Sequence, residues 1–295
     1  MKSHKETYYI VLLIIESVLL GAGNPIAKLG MSVFPFFGYV AARFLLGCVF
    51  LLLVFHKHIR YKFHLSSVMP CLIISMFTAC AFIVGTLAFK YTTATNAGFL
   101  FSLPVIFTPF LSFFISKKRM KKTNILPILF VIVGLYFLCC GQGGFTLGLG
   151  EGLAILSAIS IACTYEFSAK YVQQIDAIVL ATFQAGFIGS VCIGLSIVTG
   201  ETFPNVLDVP LRGWLVLLYL GIGCTGIGYC LQNYVLSKLN STKVALIFCS
   251  QPIFTAMASY AILGELLTPI GFVGAFIIMG SIVLASALEG KTTTS

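Results

Sequence analysis

The chain alternates between apolar runs of about 20 residues, the length that crosses a bilayer as a helix, and short polar or basic intervals. "YYIVLLIIESVLLGAGNPIA" near the start and "GAFIIMGSIVLASAL" near the end are typical of these runs. Ten spans are predicted, at roughly 8–29, 35–55, 68–89, 95–115, 124–140, 151–169, 177–198, 213–235, 243–263 and 269–287. The first follows Lys2 and Lys5. Its apolar stretch is too long for the core of a leader peptide and no small-residue cleavage site follows, so it reads as a retained helix. The expectation is an all-α membrane protein.

Composition agrees. Of 295 residues, 59% are hydrophobic and only 9% charged, whereas a soluble domain carries about 25% charged residues. A water-facing surface could not be covered with so few charges. The net charge of +9 raises nucleic acid as a partner, but the basic residues sit in short clusters such as "HKHIRYK" (56–62) and "KKRMKK" (117–122) between apolar runs. They read as loop anchors, so no nucleic-acid partner is expected. The ten cysteines are scattered through apolar runs, with no CxxC and no Cys/His cluster. Neither a disulfide framework nor a metal site is expected, and no cofactor.

With ten spans and a cytoplasmic N-terminus, fourteen Lys/Arg fall inside and only Lys28, Lys90 and Arg212 outside, with Arg43 within a span. That bias sets the orientation. The expected placement is the cell (plasma or inner) membrane, multi-pass, with both termini cytoplasmic and membrane lipid all round.

One phrase occurs twice. "AFKYTTATNAGFLFSLPV" (88–105) and "LSKLNSTKVALIFCSQPI" (236–253) share Lys90/Lys238, Ala97/Ala245, Ser102/Ser250 and Pro104/Pro252, each 148 residues apart. The first copy enters the fourth span and the second enters the ninth. Each half therefore holds five helices, 1–145 and 146–295, and an odd number inverts the second half in the membrane. Inverted repeats of this kind build transporters around a central site.

The repeated phrase, "STKVALIFCSQPIFTAMASYAILGELLTPIGFVGAFIIMGSIVL" and the early "GNPIAKLG…ARFLLG" resemble the EamA domains of the drug/metabolite transporter superfamily. The resemblance covers both halves. It implies ten helices in two inverted repeats, a cavity lined mainly by helices 1, 3, 4, 6, 8 and 9, and peripheral helices 5 and 10. The first half departs from the pattern, since "SKKRMKK" stands where the second has "GELLTP" and Glu265 has no counterpart.

Charges at bilayer depth cost about 2.5–3.5 kcal/mol each, so each one asks for a reason. Glu16 and Asn24 stand eight residues apart, on one face of the first helix. Glu16 is a candidate for proton coupling, or else is paired with Arg43 or an inner-edge lysine. Glu166 either pairs with Lys170, four residues on, or faces the cavity beside Tyr165 for substrate binding and coupling. Asn96, Asn233, Ser250 and Gln251 are further candidates for substrate contact, and Gln184, Gln232 and Ser102 add polarity to the spans. Pro25, Pro104 and Pro252 remove backbone donors within spans and are candidates for gating. "GIGCTG" (221–226) matches a dinucleotide fingerprint, but it has no preceding strand; its glycines read as sites of close helix approach or bending.

The function expected is secondary-active transport, by alternating access, of a small-molecule substrate such as an amino acid or related compound, with proton coupling. Uptake of an aromatic, vitamin-like or nucleoside-like compound, and broad export of drugs and metabolites, stay open. Direction, and monomer or homodimer, stay open too. An intramembrane enzyme is not expected, because all four histidines (His4, His56, His58, His64) lie outside the spans. A channel is disfavoured, since no charged ring marks a pore.

Overall fold

The computed structural model describes the chain except residues 1, 89, 92–99, 118–123, 140–147, 173, 203–204, 206–207, 265–268 and 293–295. Asn96, Cys140 and Glu265 therefore lie outside the described residues. The described chain is all helical, without strands. We number the helices in the order of the apolar runs: α1 Lys2–Met31, α2 Phe36–Lys62, α3 Val68–Ala88, α4 Pro104–Ser116, α5 Ile125–Cys139, α6 Leu149–Tyr171 and α7 Ala177–Val198. The eighth run has two α-helical parts, α8a Leu211–Leu218 and α8b Tyr229–Leu236, joined by a π-helical segment, Tyr219–Gly228. The ninth is also in two parts, α9a Ser241–Phe248 and α9b Gln251–Leu263, and α10 is Pro269–Thr292.

Seven helical runs are long and apolar enough to cross a membrane: α1, α2, α3, α6, α7, the whole eighth run and the whole ninth. Three shorter apolar helices accompany them, Pro104–Ser116, Ile125–Phe137 and Pro269–Ala285. At 1.5 Å per residue, α4 is only about 20 Å long, because Pro104 sits in its first turn and the helix begins there. The sequence reading placed Pro104 inside a longer helix; its missing N–H instead makes it a starting residue. Pro252 does the same in the first turn of α9b, whereas Pro25 leaves α1 continuous.

The two breaks share a geometry. Val105 N–H donates to Ser102 O (3.3 Å), and 148 residues on Ile253 N–H donates to Ser250 O (3.1 Å). These three-residue bonds replace the four-residue bonds of a regular helix. Both helices also end on a left-handed residue, Lys117 (φ 54°) after α4 and Gly264 (φ 70°) after α9b.

The packing follows paired contacts. α1 lies on α9b as α6 lies on α4; α3 packs on α6 as the π segment and α8b pack on α1. α2 packs against α7, and α5 against α10. Glycines set the closest approaches. A Cβ at Gly21 would stand 2.7 Å from Phe254 Cβ and 2.9 Å from Gln251 O, and one at Gly47 would stand 2.7 Å from Gly221 O. Two of the "GIGCTG" glycines, Gly221 against α2 and Gly226 against Phe50, serve close approach of this kind.

The distribution of polarity is that of a protein in lipid. Leu53, Phe114, Ile197 and Phe276 are 73–77% exposed, while Glu16, Glu166, Gln184 and Asn233 are buried. Lipid solvates the first set and packed helices satisfy most of the second. A buried chain of amide and hydroxyl groups links four helices. Asn233 Nδ2 donates to Gln184 Oε1 (2.8 Å), Gln184 Nε2 donates to Thr78 Oγ1 (3.0 Å), and Thr78 shares a hydrogen bond with Thr164 (3.3 Å). Asn233 and Gln184 are thus tied together inside the bundle.

Candidate functional site

A cavity of about 160 Å³ lies among α1, α2, α3, α4, α6 and the two parts of α9. Its lining comes from the last turns of α1 (Asn24, Ala27, Met31) and α3 (Phe82, Gly85, Thr86), and from the first turns of α2 (Tyr39, Arg43) and α4 (Pro104). It therefore sits toward the end of the bundle where α1 and α3 finish and α2 and α4 begin. The walls are aromatic, with Tyr39, Phe44, Phe82, Phe101, Tyr165 and Phe248. Tyr165 and Phe248 stack on each other, with ring centroids 5.7 Å apart and planes at 22°. Polar atoms converge from Asn24, whose Nδ2 donates to Thr255 Oγ1 (3.0 Å), and from Gln251.

Both helix breaks reach this space, since Ser102, Pro104, Cys249 and Pro252 line it. The Cys249 thiol donates across the pair to Ser102 O (3.7 Å, a long sulfur hydrogen bond). Irregular backbone of this kind at membrane depth is tolerated where it lines a cavity.

The structure brings Asn24, Tyr165, Gln251, Pro104 and Pro252 together at the cavity. Five others, Glu16 among them, stand elsewhere. Asn233 is engaged with Gln184. Ser250 is fully buried and donates to Ile247 O (2.8 Å). Pro25 lies within α1, one residue beyond Asn24, outside the lining. Glu166, on α6, accepts hydrogen bonds from Ser116 at the end of α4 and from Ser241 at the start of α9a. Lys170 is turned away, donating to Ile115 O (3.5 Å) with its ammonium 5.6 Å from the Tyr171 ring. Of the two alternatives, the i,i+4 pair is not formed and Glu166 does not line the cavity; it takes two hydroxyl partners, 50 and 75 residues distant in sequence.

Glu16 is also not paired as spacing allowed. It is fully buried, and neither carboxyl oxygen has a hydrogen-bond partner among the described residues. Tyr165, Tyr229, Cys224 and Cys230 lie within electrostatic range of its carboxyl group. Glu16 does not itself line the cavity. Arg43 turns instead to α8: its Nε donates to Thr225 Oγ1 (3.1 Å) in the π segment.

Sequence reasoning missed Arg43, Tyr39, Phe82 and Thr255 as lining residues. The available signal was a lone arginine next to Phe44 in an otherwise apolar run, which the sequence reading considered only as an alternative partner for Glu16. The helices that line the cavity also differ from expectation, since α2 contributes four residues while no residue of α8 appears in the lining. α2 and the π segment approach each other closely through Gly47 and Gly221. Among the described residues, no group of three His, Cys, Asp or Glu side chains could hold a metal ion, and the eight described cysteines outside the α5 terminus are unpaired thiols.

A bundle of apolar helices around an aromatic-walled, sparsely charged cavity is the build of a multi-pass membrane transporter. The pattern of the EamA-like transporter family matches residues 7–140 and again 148–287, and the chain belongs to that family. It is similar to an uncharacterized transporter of Archaeoglobus fulgidus, at 27% identity over 96% of this chain and 87% of that one. It is also similar to the uncharacterized transporter YetK of Bacillus subtilis, at 24% identity over 90% and 82%. Among solved structures that share the fold is a crystal structure with a TM-score of 0.80 over 97% of this chain and 99% of the other, at 16% identity.

Proposed function

We propose that the protein is a secondary transporter of a small organic metabolite, such as an amino acid or related compound, working by alternating access. Ten spans form two inverted five-helix repeats, 1–145 and 146–295. Three observations support the repeats: the family pattern matches each half separately, the helix contacts pair α1–α9b with α6–α4, and the helix breaks recur at an offset of 148 residues. With both termini cytoplasmic in the cell membrane, the cavity belongs to the outer half, and this conformation faces outward.

One observation carries the reading. The cavity occupies one end of the bundle, and polar contacts close the other. There Ser116 and Ser241 both hold Glu166, which ties α4 to α9a, and Lys243 Nζ donates to Glu6 at the start of α1. Opening inward requires these contacts to part. Glu166 acts as a latch in this scheme, and the breaks at Pro104 and Pro252 are the joints on which α4 and α9 move. Glu16 carries the proton. An ionised carboxylate with no donor is far more costly inside a protein than a protonated one in the same place, so a conformational change that brings water to Glu16 would couple proton movement to transport.

The test is flux in proteoliposomes across a panel of small organic solutes. Saturable uptake driven by an outward gradient of the same solute (counterflow) is expected, with stimulation by an imposed proton gradient that vanishes in Glu16→Gln. Flux that rises linearly with concentration would indicate a pore and sink alternating access.

A further inference from the structure

Among the described residues, every polar lining residue of the cavity is neutral except one: Arg43 is the single charged side chain, and no described Asp or Glu joins it there. Its guanidinium is held in a fixed pose. Nε donates to Thr225 Oγ1 (3.1 Å), and the Cζ carbon lies 5.3 Å from the Phe44 ring centroid and 5.5 Å from that of Phe82. Phe44 and Phe82 are themselves packed edge-to-face, with centroids 5.1 Å apart. Thr225 reaches Arg43 because it sits in the π-helical segment, pressed close to α2 by Gly221 and Gly47. π-Helical turns of this kind recur at functional sites.

Two carboxylates are committed elsewhere. Glu201 accepts from the Phe37 and Gly38 amides at the start of α2 and from Ser196. Glu166 is held by its two serines. Glu16 accepts no hydrogen bond from Arg43 and does not line the cavity. The guanidinium carries five N–H donors in a planar fork, and its hydrogen bond to Thr225 uses Nε alone. Among the described residues, its terminal N–H groups meet no acceptor.

We infer that Arg43 is the docking point for a substrate carboxylate, so that the cavity takes a small organic monocarboxylate with an apolar or aromatic body. The inference deepens the transport reading above, which supplies the word substrate; the binding site stands without it. A planar fork matches a carboxylate in geometry as well as charge. With aromatic rings on its other sides, the site suits a body that is apolar rather than a second charge. Size agrees, since an engineered apolar cavity of about 150 Å³ binds benzene. Thr225 is a positioning residue: it aims the fork and does not itself reach the ligand.

The experiment measures binding by purified protein of four probes that share one body: 3-phenylpropanoate, its amide, 2-phenylethylamine and phenylalanine. Benzoate and naphthoate extend the carboxylate series. Millimolar carboxylates are expected to raise the unfolding midpoint, and the amide and the amine to leave it unmoved. Arg43→Gln weakens carboxylate binding about 10–100-fold, the effect of losing charge-assisted hydrogen bonds. Arg43→Lys restores part of it, and Thr225→Val, which keeps the charge, weakens it several-fold. The midpoint without ligand shows that each variant is folded, and the lysine and valine variants carry the test where the glutamine variant fails to fold. Equal binding of the amide or the amine, unchanged carboxylate binding in Arg43→Gln, or no carboxylate binding by folded wild-type protein would each overturn the proposal. Saturable flux of neutral or cationic solutes without carboxylate binding would overturn it and leave transport standing. Carboxylate binding that needs Arg43 but is never accompanied by flux would do the reverse.

Discussion

Replacing Glu166 with Ala should release the closed end of the bundle. In the wild type its carboxyl oxygens accept one hydrogen bond each from Ser116 on α4 and Ser241 on α9a. The side chain is buried, so water does not compete. Hydrogen bonds to a charged group contribute about 1.5–3 kcal/mol each. Two bonds sharing one carboxylate are worth about 3 kcal/mol together at the low end of that range. If they exist only in the closed arrangement, losing them shifts the local opening equilibrium by roughly a hundredfold, since 1.4 kcal/mol is a factor of ten. Glu166→Gln keeps an acceptor oxygen and should fall between. The assay is amide hydrogen exchange in detergent or nanodiscs, comparing α9a with α2. Exchange over Ser241–Ala245 should quicken about a hundredfold in Glu166→Ala, while the cavity-facing turns of α2 keep their protection. Unchanged exchange at α9a, or equal loss of protection throughout the bundle, would refute the latch.

Other expectations follow from single positions. Gly21→Ala places a Cβ 2.7 Å from Phe254 Cβ and 2.9 Å from a backbone oxygen of α9b; it should cost about 1–3 kcal/mol and lower the unfolding midpoint. Gly223→Ala, which meets nothing within 4 Å, should leave it unchanged. Asp176 caps α7 by accepting from the Ile178 and Val179 amides (3.0 and 3.3 Å), so Asp176→Ala should cost about 1 kcal/mol, read from the same melts. Glu16→Gln should abolish the proton-gradient stimulation of transport while sparing counterflow; loss of both would assign Glu16 to folding or substrate binding instead.

The spans were legible because lipid imposes its own length and polarity on a sequence. Runs such as 35–55 and 177–198 had to be helices, and α2 and α7 stand there. The limits of the fourth and ninth runs were less legible. The apolar pattern runs through residues 95–115, but Pro104 fits a first turn better than a helix interior, and the described helix starts at that residue. The π segment left no periodic trace, because an i→i+5 turn costs one residue of register and the glycines around it also suit a regular helix. At the cavity, Asn24, Tyr165 and Gln251 could be found as polar or aromatic residues within apolar runs. The partners of Glu166 could not. Lys170 was four residues away and of the right sign, whereas Ser116 and Ser241 are brought in only by the packing of α4 and α9a. Arg43 was visible as a charge in a span, but its role depends on Thr225, 182 residues away.

The most direct measurement follows accessibility from both sides of the membrane. In a cysteine-free background that retains binding, Thr86→Cys reports the cavity and Ile115→Cys reports the end of α4 beside the Glu166 latch. A membrane-impermeant thiol reagent is applied from outside or from inside. Alternating access predicts labelling of Thr86→Cys from outside and protection of Ile115→Cys from inside in the resting protein. Adding Glu166→Ala should reverse both together. Simultaneous labelling from the two sides, or an Ile115→Cys rate that moves while Thr86→Cys does not, would contradict the exchange of two closed states.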